Sequence, residues 1–157
     1  EGLSMAYYET FGLDVRVARI FSVFGGKMNR FFIYDLIHKI NLSDKEVELN
    51  GNGLQVRDYL HVDDVVNGLI LIAQKGQPGE IYNISSGKPT RLSILAKKIK
   101  KILNKEELTI KWNNCNTKGI RDCWYGNNSK IKKLGFKVRK DIKDNLENTV
   151  KEIFSNL

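Results

Sequence analysis

The chain has 157 residues, 41% of them hydrophobic and 28% charged, with 26 Lys and Arg against 18 Asp and Glu and a formal net charge of +8. This composition excludes a disordered chain, and the length suits one domain or one domain plus part of another. No apolar stretch approaches the ~20 residues of a membrane helix, the opening residues do not read as a secretory signal, and Cys115 and Cys123 lack a zinc or redox spacing. A cytoplasmic protein with no metal site is expected.

The sequence opens at Glu1 directly on a helical pattern, Gly2 to Phe11, with no Ser, Thr, Asp or Asn cap before it and Gly12 as its stop. A helix already under way at the first residue is the pattern of a chain cut from something longer. Asp14 to Phe24 is rich in β-branched and aromatic residues and halted by Gly25 and Gly26, which predicts one well-buried strand. Residues 29–40 carry Phe32, Ile33, Leu36, Ile37 and Ile40 at helical spacing. Val47 to Leu49 is a short strand, and Asn50-Gly51-Asn52-Gly53 is a run that reverses the chain. Gln55 to His61 is a second strand. Asp63 or Asp64 is expected to cap a helix through Lys75, with Val65, Val66, Leu69, Ile70 and Ala73 as its inner face.

Pro78 and Gly79 break that helix, residues 80–85 form another strand, and residues 86–90 form a loop leading to a helix from Leu92 to about Leu103. Leu108 to Trp112 alternates like a strand, and Asn113 to Gly119 is a polar stretch. Ser129 to Leu134 is a short helix ended by Gly135, and Asp141 to Phe154 is an amphipathic closing helix. Strands alternating with helices predict an α/β or α+β architecture.

The basic balance favours an anionic partner: nucleic acid, acidic lipid headgroups or a phosphorylated small molecule. Lysines gather in Lys97-Lys98-Ile99-Lys100-Lys101 and in Lys130-Ile131-Lys132-Lys133. The apolar interruptions fit helices with a solvated face; a polyanion site is the alternative. No Gly-x-Gly-x-x-Gly, P-loop or nucleophile elbow is present, and two histidines do not make a His-rich metal site. No tyrosine is followed four residues later by lysine.

Four blocks carry a resemblance. Arg19-Ile20-Phe21-Ser22-Val23-Phe24-Gly25 resembles the Arg-x-Phe-Asn/Ser-Val-Tyr/Phe-Gly segment of extended short-chain dehydrogenases/reductases, the nucleotide-sugar epimerase and dehydratase family. Gly51 to Asp64 resembles that family's Gly-x-Gly-x-x-x-Arg-Asp-Tyr/Phe-x-His/Tyr-Val-x-Asp block. Glu80 to Gly87 is similar to its next strand and loop. Asn128 to Phe136 is similar to its late Asp-x-Ser-Lys-x-x-x-x-Leu-Gly-Trp/Phe helix. The blocks occur in the family's order and span nearly the whole chain.

The resemblance implies an α/β fold: the end of an NAD-binding Rossmann domain in residues 1–26 and the smaller α/β substrate-binding lobe in residues 27–157. The strand near 80–85 is a candidate to return to the Rossmann sheet. It implies NAD or NADP as cofactor of the parent enzyme, a nucleotide-diphosphate sugar as substrate, and a homodimer paired through the helix from Glu1 to Thr10. Glu1 would match the glutamate of the helix bearing Tyr-x-x-x-Lys, so both catalytic residues and the glycine-rich turn would lie upstream. This chain would then hold no catalytic residue and be inactive alone. A non-catalytic interaction lobe and a basic nucleic-acid-binding module are the alternatives.

By the same resemblance Arg57 contacts the diphosphate, for which a guanidinium fork is suited; an ion pair with Asp58 or Asp64 is the bland alternative. Asp58 and Asp64 are assigned structural roles, Asp64 as a cap. Tyr59 and His61 alternate with Asp58, and His61 reads as a packed core residue. Asn29 and Arg30, at the start of a helix, are implied substrate contacts, with capping by Asn29 as the alternative. Phe21 and Ser22 end a strand at the carboxyl edge, where ligands bind in open α/β sheets, and are the implied cofactor contacts, though Phe21 also reads as core. Ser22 stands where many relatives carry asparagine. Arg121 and Trp124 are the remaining substrate candidates, although Thr117 to Asp122 replaces the usual Arg-Pro-Gly-Asp run and Asn127 replaces the usual aspartate.

Overall fold

The computed structural model describes residues 1–115 and 121–155, so the predicted polar stretch beyond Cys115 and the run Thr117 to Ile120 lie outside the described residues. In chain order the elements are α1 (Gly2–Phe11), β1 (Val17–Ile20), β2 (Ser22–Phe24), α2 (Phe32–Leu42), β3 (Glu46–Leu49), β4 (Val56–His61) and α3 (Val62–Lys75). They continue with β5 (Ile81–Ile84), β6 (Pro89–Arg91), α4 (Leu92–Ile102), β7 (Thr109–Trp112), β8 (Cys123–Trp124), α5 (Ser129–Lys133) and α6 (Ile142–Ser155). Among the described residues no helix is long and apolar enough to cross a membrane. The chain divides into two compact units, one of residues 1–23, 58–88 and 125–141, the other of residues 24–57, 89–124 and 142–157.

In the first unit β1 and β5 pair in parallel, from Val17 opposite Ile81 to Ile20 opposite Ile84. Leu60, Val65, Ile72, Tyr82, Ile84, Ile131 and Phe136 form its core. The single buried strand predicted for residues 14–24 is instead two, interrupted at Phe21, and Ile20 is 46% exposed. The reason is pairing: β1 is hydrogen-bonded on one side only among the described residues. α1 ends as expected, with Gly12 in the left-handed region donating its N–H to the Tyr8 carbonyl.

The buried stripe of α3 is Asp64, Val65, Gly68 and Ile72, which keeps Val65 of the predicted face; Val66, Leu69, Ile70 and Ala73 are exposed. Gly68 explains the rotation. Its Cα faces Ile84 and Phe136 so closely that an added Cβ would lie 3.1 Å from Ile84 Cγ2, which brings the helix axis down on that side. The expected aspartate cap is also corrected. His61 caps α3, its Nδ1 accepting the Asp63 N–H at 3.2 Å. Asp64, 1% exposed, accepts the Arg139 and Lys140 N–H groups at 3.0 and 2.9 Å and fastens residues 139–140 to the helix. His61 and Tyr59 are buried along with Asp58 and Leu60, so both faces of this end of β4 are covered.

In the second unit β3 and β7 pair in parallel, Glu46 opposite Thr109 and Leu49 opposite Trp112. The Asn50–Gly53 turn therefore does not close a hairpin: β3 takes β7 as its partner. α4 packs against α2 and α6 over a core that includes Ile37, Ile40, Leu95, Ile99, Leu146 and Val150. The periodicity of α2 places Ile33, Leu36, Ile37 and Ile40 inward as predicted. Its start is later than residue 29, because Phe31 has φ 74, outside the helical region, and the helix begins after it. Short strands β6 and β8, absent from the sequence reading, are too brief for a periodic signal.

Asp64 is buried and Asp63 is not, which separates their contributions. The Lys140 hydrogen bond holds the Asp63 carboxyl below the ordinary carboxylate range, partial desolvation opposing it. Its folded pKa is depressed, so its contribution is present above the unfolded pKa and is lost as pH falls through the folded value. Asp64→Ala is expected to lower unfolding stability by roughly 1–3 kcal/mol through two orphaned N–H groups. Asp63→Ala should cost much less, and that cost should vanish in acid and shrink in high salt. Urea unfolding of both variants at neutral and acid pH checks this.

Candidate functional site

The carboxyl ends of β1 and β5 meet where the Phe21 N–H donates to the Ile84 carbonyl at 3.2 Å. Past Ile84 the chain turns through Ser85, Ser86 and Gly87, and Asp58 holds that turn. Its carboxylate is 1% exposed. Oδ1 accepts from the Ser86 N–H and the Ser86 hydroxyl, both at 2.7 Å, and Oδ2 accepts from the N–H of Gly87 at 2.9 Å and of Gly126 at 3.2 Å. Gly87 has φ +72, which allows its amide to turn toward the carboxylate without Cβ strain. Gly126 is a glycine for a different reason. A Cβ there would lie 2.4 Å from Ser85 Oγ and 2.9 Å from the Phe21 ring.

Neighbouring asparagines complete this edge. Asn128 Nδ2 donates to the Ser85 carbonyl at 2.8 Å. Asn127 Oδ1 accepts the Ser129 N–H at 2.9 Å as the chain enters α5, and the Asn127 carbonyl accepts from Asn83 Nδ2 at 3.1 Å. Phe21 and Ser22 are half-buried at the same edge.

The five substrate candidates all fall in the second unit. Arg57 and Trp124 are opposite each other in the parallel β4–β8 pair. The Asp122 carbonyl accepts the Val56 N–H at 2.7 Å and Arg57 Nη1 at 3.2 Å, and Nη1 also donates to the Val56 carbonyl at 2.8 Å. Arg57 thus goes to main-chain carbonyls rather than to a carboxylate, which corrects the ion-pair alternative. One nitrogen of its fork is committed and the rest have no partner among the described residues. Arg121 is exposed just before this contact, and Trp124 is 54% exposed. The pairing sets Arg57 and Trp124 side by side on adjacent strands, with Arg121 three residues before Trp124 in the chain, a cation and an aromatic of the kind suited to an anion attached to a ring system.

Asn29 and Arg30 are exposed but do not start α2. Phe31 is the N-cap residue, no side chain caps the helix, and Asn29 is therefore not the cap. Arg30 lies 4.8 Å from the Phe31 ring centroid, and Phe31 is 65% exposed. An aromatic at positive φ is strained. Nothing in the sequence signals Phe31, since Phe31 and Phe32 are equal in pattern terms and the backbone decides which one turns out. Likewise the only partner that residue types suggest for Asp58 is Arg57, whereas three of its four donors are main-chain amides that no side-chain pattern reveals. No group of three or more His, Cys, Asp or Glu that could hold a metal occurs among the described residues.

Residues 1–85 match the NAD dependent epimerase/dehydratase family. A trifunctional UDP-glucose 4,6-dehydratase/UDP-4-keto-6-deoxy-D-glucose 3,5-epimerase/UDP-4-keto-L-rhamnose-reductase of Arabidopsis thaliana is 32% identical over 96% of this chain and 22% of its own length. Among solved structures, a dTDP-glucose 4,6-dehydratase from Bacillus anthracis in complex with NAD is similar at TM-score 0.84 and 26% identity, over 99% of this chain and 49% of that one. A UDP-glucose 4-epimerase from Thermotoga maritima with UDP-glucose is similar at TM-score 0.83 and 27% identity, over 96% and 49%. The chain thus spans about half the length of these solved chains and less of the plant protein. The α/β fold expected from the sequence, with parallel strands, agrees with them.

Asp58→Asn keeps the shape and removes the charge. Its amide would turn an NH2 toward N–H donors, and the loss expected is roughly 2–4 kcal/mol of stability. Gly126→Val should also destabilise, by overpacking against Ser85 and Phe21. Thermal unfolding, with hydrogen exchange at Ser86, Gly87 and Gly126, reads both; unchanged exchange in Asp58→Asn would contradict the clamp.

Proposed function

Because the chain belongs to the NAD dependent epimerase/dehydratase family, we propose that it is the nucleotide-sugar-binding part of an NAD(P)-dependent nucleotide-sugar epimerase or dehydratase. The observation that carries this reading is the pairing of Arg57 on β4 with the exposed Trp124 on β8, with most of the Arg57 fork uncommitted and the exposed Arg121 two residues before β8. In this reading Arg57 and Arg121 hold the diphosphate by charge-assisted hydrogen bonds, and Trp124 lies against a ring of the substrate. Asn29 and Arg30 add contacts from the loop before α2, where Phe31 carries strain of the kind found at ligand sites. Asp58 and Asp64 act only as fasteners.

The residues of this chain do not make a dinucleotide cradle. The sequence has no Gly-x-Gly-x-x-Gly, and the carboxyl edge offers Phe21 and Ser22. These two are proposed to border the nicotinamide end of the cofactor, and no chemical step is derived through it. The sequence also lacks a Tyr-x-x-x-Lys pair, so the proton-transfer groups belong to the rest of the parent enzyme in this proposal. A homodimer through α1 is supported by its surface: Leu3, Tyr7 and Phe11 are 73%, 46% and 66% exposed and recur every four residues along one stripe.

In the parent enzyme Arg57→Ala is expected to weaken nucleotide-sugar binding roughly ten- to a hundredfold, the loss of about 1.5–3 kcal/mol of charged hydrogen bonding. Cofactor affinity should stay nearly intact. Arg57→Lys should recover part of the loss, because an ammonium does not reproduce the forked geometry. Calorimetric titration with UDP- and dTDP-sugars, titration with NAD, and melting curves on the same variants check this. Sugar-nucleotide affinity unchanged in Arg57→Ala would defeat the assignment.

A further inference from the structure

In the second unit β6 runs straight into α4, and a cavity of about 140 Å³ lies between α4 and the start of α6. Ile94, Ile142 and Leu146 supply its apolar lining, and Arg91, Lys98 and Lys143 its cations. Ile142 and Leu146 are buried while Ile94 is 52% exposed, so the cavity has an apolar floor and an apolar lip. Its lining holds no carboxylate, and α4 carries none along its whole length. Three lysines elsewhere in this unit have local acceptors: Lys100 reaches the Leu108 carbonyl, Lys105 the Ser43 carbonyl, and Lys111 pairs with Glu46. Arg91 and Lys98 make no ion pair among the described residues.

At ~30 Å³ per water-sized group the cavity has room for one large aliphatic or aromatic side chain. Cations gathered at an apolar lip repel one another and favour a partner that brings negative charge together with an apolar anchor. Duplex nucleic acid brings the charge without the anchor, its bases being stacked and paired. We infer that this cavity docks an acidic segment of a partner protein, one bulky apolar side chain entering between α4 and α6 and flanking carboxylates facing Arg91 and Lys98.

The probe is a fluorescein-labelled peptide, Asp-Glu-Phe-Glu-Asp, titrated into the intact protein and read by fluorescence polarisation. Saturable binding is expected, at least tenfold weaker in Ile94→Ser and in Lys98→Glu, and at least tenfold weaker for the peptide with alanine in place of phenylalanine. Lys45→Glu, an exposed lysine away from the cavity, should leave it unchanged. Equal binding of the two peptides, or equal loss in Lys45→Glu, would make this a general polyanion surface and overturn the proposal, as would heparin binding that ignores Ile94→Ser. Failure of the phenylalanine peptide to bind would also overturn it. Self-association in sedimentation that Ile94→Ser abolishes would assign the cavity to a second copy of the chain instead.

Discussion

A carboxylate removed from water has to recover its hydration from the protein, and Asp58 does so without a cation. Three main-chain amides and one hydroxyl converge on it, so the charge is met by dipoles fixed in two loops. That arrangement restricts what those loops can be. Residue 87 has to reach a left-handed conformation, and residue 126 has to pass Ser85 and Phe21 without a side chain. Residue 86 supplies two donors, and Asn128 then secures Ser85 from the other side. The positions of Phe21 and Ser22 at the carboxyl edge follow from these packing terms, because the turn after β5 and the passage of Gly126 define what the edge can accommodate.

Arg57 and Asp58 are consecutive residues of β4, yet they serve different purposes. Asp58 has all its acceptor capacity engaged within the first unit, whereas Arg57 has one nitrogen engaged in the second and the remainder available. The same contrast separates the other candidates. Asp64 is consumed by two amides, and Asn127 by the turn into α5, where the Ser129 N–H needs only the one acceptor oxygen that an amide supplies. The residues with unused polar capacity, Arg57, Arg121, Asn29 and Arg30, are the ones that a ligand could engage.

Helix periodicity was legible where the apolar positions were unambiguous, as in α2 and α4, and misleading where the helix was apolar on two sides. In α3 the residues Val65, Val66, Leu69, Ile70 and Ile72 offer two overlapping stripes, and a residue with no hydrophobicity of its own, Gly68, selects between them by permitting close approach. The cap of α3 departs from residue type for a related reason. Asp63 and Asp64 are the stronger caps by type, but His61 sits at the position where the backbone is extended, and geometry outranks residue preference. The motif blocks located Arg57 and Asp58 because their residue types repeat a family pattern, while Phe31 and the β4–β8 pairing depend on backbone conformation and contacts between distant segments.

The net charge of +8 illustrates how little a total says about a partner. Within the first unit Lys130 pairs with Glu80 and lies 4.9 Å from the Tyr82 ring centroid, Lys140 pairs with Asp63, Arg19 with Glu1, and Arg16 binds the Gly76 carbonyl. In the second, Lys100 and Lys105 complete the ends of segments by binding carbonyls. Cations used this way hold the fold and present a reduced field outward. A nucleic-acid surface would instead keep a continuous basic face interleaved with exposed aromatics. Of the two lysine runs, the α4 run shows the expected solvated face at Lys97, Lys98 and Lys101 but diverts Lys100 inward, and the α5 run diverts Lys130. An anion approaching either run thus meets cations of which some are already turned to partners of the fold, and the charge total overstates what the surface offers.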